Sequence, residues 1–162
     1  MDIWKKIRRI SFFKLIQFGW IFLQKPRLIF PVWNATKETL KICNSLYGNA
    51  HQGKGKANAF RHSYWNFQIC EKSFKIIKNR TKSVKWTQKV VDFYEKVTKN
   101  DLLDQQMDFH NNEFGRNYFI QKTANFEQDS IDFLEKEAEK AQKVSNMADF
   151  EKFKGQLVYI TE

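Results

Sequence analysis

From residue 34 onward, apolar side chains return every three or four positions in blocks of helical length, the spacing that buries one face of a helix. Leu40, Cys43, Leu46 and Tyr47 share such a face behind an Asn34 cap, and Gly48 ends the block. A helix is predicted over residues 57–79. Phe60, Tyr64, Phe67, Ile69, Cys70, Phe74 and Ile77 cover so much of its circumference that it belongs at the centre of the fold. Further helices are predicted over 83–97, with Trp86, Val90, Phe93, Tyr94 and Val97 inward, and from an Asn100 or Asp101 cap to residue 120. Another runs over 126–145, where Ile131, Leu134, Ala138, Ala141 and Val144 oppose a Glu/Lys face. One or two helical turns over 148–154 and a β-prone tail over 157–160 close the chain. The expected class is all-α, a single globular domain of about five to seven helices, with no repeat, coiled-coil seam or low-complexity tract.

The first part of the chain departs from this pattern. Residues 1–24 form a basic, aromatic segment, with Ile3, Trp4, Ile7 and Ile10 among Lys5, Lys6, Arg8 and Arg9, then Phe12, Phe13, Phe18, Trp20, Ile21, Phe22 and Leu23. Lys14 and Gln17 interrupt its apolar runs and Lys25-Pro26-Arg27 closes it, so it is too short to span a bilayer. No small-residue cleavage site follows, and a removed signal peptide is not expected. Two readings remain for 1–24: a packed helix, or an interfacial helix docking on a membrane surface. Residues 25–162 are then the helical domain proper.

Composition bounds the partners. At 162 residues the chain can bury a sizeable core without covalent staples. Its net charge of +10 favours an anionic partner, a phospholipid surface or a phosphate-containing substrate ahead of nucleic acid, for which no recognised motif is present. Cys43 and Cys70 lie within apolar helical patterns without metal-ligand spacing and read as buried free thiols. They fit a cytoplasmic location, with peripheral attachment to the inner membrane surface as its extension. The loop His51-Gln-Gly-Lys-Gly-Lys56, expected to be the most flexible stretch, lacks the full phosphate-loop spacing and a preceding strand.

The chemistry concentrates in two segments, Asn58-Ala-Phe-Arg-His-Ser-Tyr-Trp-Asn66 and Met107-Asp-Phe-His-Asn-Asn-Glu-Phe-Gly-Arg116. On the first, Asn58, His62 and Asn66 recur every four residues as one polar stripe, flanked by Arg61 and Trp65. On the second, Asp104, Asp108, Asn111 or Asn112, and Gly115 share a face. Polar groups set among aromatics must bond one another, a metal or a ligand.

Three assignments follow from these residue types. His62, Glu95, Asp108 and His110 offer the imidazole and carboxylate donors that hold a divalent metal with a position open to water, although no local ligand signature fixes the geometry. Without a metal, His62 is a general base oriented by Asp108, with Arg61 or Arg116 stabilising negative charge and Asn58, Trp65, Asn66, Asn111 and Asn112 binding substrate. Alternatively, the same set is a buried hydrogen-bond network fixing helix register. No nucleophilic Ser or Cys sits in a recognisable elbow or triad.

Together the two segments, Asn-Ala-Phe-Arg-His-x-x-Trp-Asn and Met-Asp-x-His-Asn-Asn-x-x-Gly-Arg, resemble an uncharacterised bacterial domain family over roughly residues 25–125. The resemblance implies site positions rather than a reaction. Where that family often has Asp-Leu-His-Glu between the segments, this chain has Asp92-Phe93-Tyr94-Glu95, so any metal shell that used the histidine is differently composed here. The Arg-His helix is also faintly similar to the His-Asp helix of bacterial phospholipases A2, without their disulfide and calcium-loop elements. The expected function is a small hydrolase of phosphate-containing or membrane-associated substrates. Its alternative is a non-enzymatic, membrane-peripheral or protein-binding module whose polar cluster is structural.

Overall fold

The computed structural model describes residues 12–98, 101–122 and 127–161. The basic stretch from Ile3 to Ile10 lies outside them. The described chain is all-α apart from one small strand pair. Its helices are α1 (Phe12–Leu23), α2 (Ile29–Tyr47), α3 (Lys56–Ile77), α4 (Arg80–Thr98), α5 (Leu102–Gln121), α6 (Glu127–Glu139) and the short α7 (Ala148–Lys152). Short 3₁₀ turns, Pro26–Leu28 and Ala50–Gln52, lead into α2 and precede α3. Strands β1 (Gln142–Lys143) and β2 (Val158–Tyr159) pair in parallel, Gln142 opposite Val158 and Lys143 opposite Tyr159.

Helix α3 is the hub, as its nearly all-round apolar pattern predicts. It packs against α2, α4, α5 and α6. One core centres on Phe60, Phe67, Cys70, Phe119, Leu134 and Leu157, between α3, α5, α6 and the tail. A second joins Leu28, Val32, Ile69, Trp86, Val90 and Val91, and the Trp86 ring meets Phe22 of α1 edge-on. A third, of Met107, Val144, Phe150 and Val158, seats the C-terminal strands on α5. Cys43 and Cys70 are buried free thiols, and burial pushes both up to about 12.

Local chemistry sets the element ends, and three differ from the expectation. Helix α2 begins at Ile29 rather than behind Asn34. Pro31 falls in its first turn, where a backbone N–H has no intrahelical partner, so the proline costs nothing there. Helix α4 begins at Arg80, just after Lys78 closes α3 in the left-handed region at φ 57°. Helix α6 stops at Glu139 instead of running to residue 145. Ala141 and Val144 keep helical spacing, yet Gln142 N–H donates to Leu157 O (2.9 Å) and Val144 N–H to Tyr159 O (2.8 Å). Pairing with a segment about 15 residues away outweighs local periodicity. Asp101 caps α5 as expected, its carboxylate accepting from Asp104 N–H at 2.9 Å.

The loop expected to be most flexible is tied down. His51 is buried, its Nε2 2.8 Å from Asn44 Oδ1. Asn58 Nδ2 donates to Gly53 O (2.6 Å), and Lys54 O accepts from the N–H groups of Ile160 and Thr161. Gly53 packs within the loop itself, where a Cβ would lie 3.3 Å from Ala50 O.

Candidate functional site

Helix α3 carries His62 and Asn66 one turn apart, and α5 carries Asp108, Asn112 and Arg116 at the same four-residue spacing. The two stripes face each other because α3 and α5 approach unusually closely at Gly115. Helix α4 completes the site with Asp92 and Glu95, also on one face. His62, Asn66, Glu95, Asp108, Asn112 and Arg116 are all buried.

His62 is held from both sides of its ring. Nδ1 lies 3.1 Å from Asn112 Oδ1 and 3.5 Å from Glu95 Oε1. Nε2 lies 2.6 Å from Arg61 Nη2 and 3.2 Å from Asp108 Oδ1. A guanidinium can only donate, so Nε2 accepts and the ring proton resides on Nδ1, directed to Asn112. Nε2 and the Asp108 oxygen, 3.2 Å apart, share the neighbourhood of the Arg61 guanidinium, whose positive charge favours both.

A chain of amides extends the site. Asn66 Nδ2 donates to Asn112 Oδ1 (2.6 Å) and to His62 O (3.1 Å), while Asn112 Nδ2 points to Glu95 Oε1 at 3.4 Å. Arg116 Nη1 donates to Asn66 Oδ1 (3.0 Å) and lies 3.5 Å from Asp92 Oδ1. Burial lowers the Arg116 pKa from its ordinary value, and the Asp92 carboxylate opposes that shift.

One nitrogen of His62 and one oxygen each of Glu95 and Asp108 lie within 4.8 Å of one another. Two ligands on one tetrahedral ion, each about 2.0–2.1 Å from it, stand roughly 3.3 Å apart, so the 3.2 Å between Nε2 and Asp108 is of the right size.

Not every expected residue joins this group. His110 lies apart: its Nε2 donates to Gln156 O (2.8 Å) and its ring packs on Phe150, because a residue two positions beyond Asp108 faces another side of the helix. Asn111 brackets Val158 instead, donating to its carbonyl (2.9 Å) and accepting from its N–H (3.0 Å), as a neighbouring strand would. Asn58 holds the 51–56 loop. Trp65 Nε1 donates to Thr36 Oγ1 (2.9 Å) on α2, and its ring lies between His62 and Tyr94. Tyr94, standing where the resembling family often has histidine, thus packs at the edge of the site. Asp92 is the participant that the sequence reading passed over, although its spacing of three from Glu95 put both carboxylates on one helical face.

A family model described as a domain of unknown function matches residues 19–142, more than half of the chain. Neither the curated proteins nor the solved structures include a significant match.

Proposed function

The chain belongs to that family, DUF6973, and we propose that it is a metal-assisted hydrolase whose divalent cation is shared by His62, Glu95 and Asp108. The observation that carries this reading is the convergence of an imidazole nitrogen and two buried carboxylate oxygens within 4.8 Å. Two carboxyl groups removed from water at one place are stabilised by a cation held between them. An imidazole with two carboxylates is also a donor set that leaves a coordination position for water, which such an ion acidifies toward neutrality.

The surrounding residues fit a substrate carrying phosphate. Asn112 fixes the His62 tautomer by accepting from Nδ1, which leaves Nε2 as a donor of electrons. Arg61 is half-buried and its guanidinium reaches Nε2, so an ion held there would have to displace it from that nitrogen. A guanidinium released there is suited to two oxygens of a phosphoryl group. A metal-free general-base role for His62 has less support. Both ring nitrogens already meet protein atoms, so neither is a ready acceptor for a proton from water or substrate.

A second reading, a structural network in a binding module, draws on a different observation: the ligand residues are at most 3 % exposed. Metal analysis after removal of loosely bound ions separates the two. Wild type is expected to hold a stoichiometric divalent ion, Glu95→Gln to lose it with its helical spectrum retained, and only wild type to cleave an activated phosphodiester. A metal-free wild type whose melting temperature is unmoved by zinc, manganese or magnesium would leave the structural network.

A further inference from the structure

Helix α1 is amphipathic in an unusual sense. Its inner side uses Ile21 and Phe22 against α4, but Phe13, Ile16, Trp20 and Leu23 form a second apolar stripe at intervals of three and four residues. That stripe is open to solvent, with Phe13 77 %, Trp20 64 % and Leu23 70 % exposed. Beyond the 3₁₀ turn, at the start of α2, Phe30 is 72 % and Trp33 53 % exposed. An apolar surface of this kind on a folded chain marks a contact with something else.

Charge decides what that is. Residues 1–47 hold nine Lys and Arg against Asp2 and Glu38, so most of the chain's net +10 lies in the same part of the sequence as the exposed rings. Lys25, Arg27, Lys37 and Lys41 are exposed next to the aromatic positions. A groove of about 340 Å³ lies beside the stripe, with Leu28, Ile76 and Ile77 as apolar lining and Lys25 and Arg27 among its other walls. Rings and aliphatic chains flanked by lysine and arginine match the boundary between acyl chains and anionic headgroups. A self-associating face would instead bring these like charges together. No helix among the described residues is long and apolar enough to cross a membrane, so the contact is one of lying on a bilayer.

We propose that α1 and the N-terminal half of α2 dock this protein on an anionic phospholipid surface, with Trp20, Phe30 and Trp33 entering the acyl boundary and Lys25, Arg27 and Lys37 meeting headgroups. The idea is independent of the metal site.

The test is co-sedimentation of the full chain with phosphatidylcholine vesicles, with and without phosphatidylglycerol, alongside gel filtration over a range of concentrations. The wild type is expected to sediment with the phosphatidylglycerol vesicles and to shift its tryptophan emission to the blue. Trp20→Ser/Phe30→Ser/Trp33→Ser is expected to weaken this partition by roughly tenfold or more, since each ring forfeits apolar burial. An unchanged melting temperature would show that the triple variant still folds. Three results overturn the proposal. The first is no sedimentation with either vesicle. The second is binding that salt abolishes but the triple variant leaves intact, which is mere charge attraction. The third is a concentration-dependent dimer, lost in the triple variant, which assigns the face to a second copy.

Discussion

Gly115 on α5 sits against the backbone of Ser63 on α3 so closely that a Cβ at 115 would lie 2.0 Å from the Ser63 carbonyl oxygen. The obstacle is main chain, which cannot rotate away. Gly115→Ala therefore pushes apart the two helices that carry His62 and Asp108. The expected loss is about 3 kcal/mol or more, seen as a melting temperature lower by roughly 6–12 °C. Gly19→Ala is the control: nothing lies within 4 Å of its Cβ, and a helical alanine there should be neutral or stabilising by up to about 1 kcal/mol.

Asn112 joins three helices through one side chain, its Oδ1 accepting from Asn66 and His62 and its Nδ2 reaching toward Glu95. Asn112→Leu keeps the volume but gives buried donors no acceptor. Urea unfolding should show a loss of about 3 kcal/mol. His62→Ala in the same background should add less than it does alone, because the two residues act through one network. Strict additivity would mean that the bond between them contributes little.

Asn111 should behave differently although it is the next residue. Its two hydrogen bonds to Val158 hold β2 on α5. Asn111→Ala is expected to cost about 2 kcal/mol and to speed amide exchange at Val158, while any metal content stays at the wild-type level. Loss of bound metal in this variant would place Asn111 in the site after all.

His51 gives the fold a pH dependence of predictable sign. Burial, with the Arg61 charge, lowers its pKa from the ordinary 6.5, and its Nδ1 has no acceptor when protonated. The unfolded chain takes up the proton first as pH falls. The contribution of neutral His51 is thus present above about pH 6.5 and lost as pH drops through its lower folded value. His51→Gln, which keeps an amide donor for Asn44, should melt below wild type near neutral pH, and the gap should narrow toward about pH 5. A constant gap would show that His51 does not titrate on unfolding in this range.

Much of this protein was legible along the chain. The all-α class, the central place of α3 and the Asp101 cap follow from apolar spacing and from which side chains satisfy a helix end, both local properties. The His62–Asn66 and Asp108–Asn112 stripes were equally legible, since a four-residue interval puts side chains on one face of any helix.

What periodicity cannot carry is contact between distant segments. Helix geometry alone keeps Asp108 and His110 from facing the same way; only the tertiary structure decided which of them, and which of Asn111 and Asn112, meets His62, because that depends on how α5 is rotated against α3. Gly115 sets how closely the two helices approach. The same holds for Asp92, for the strand that ended α6 at Glu139, and for the buried His51 in a loop rich in glycine. In each, a bond to a residue elsewhere in the chain outweighed a preference worth only a fraction of a kcal/mol per residue. The sequence by itself determined the helices and the polar faces they carry; packing decided which of those faces meet.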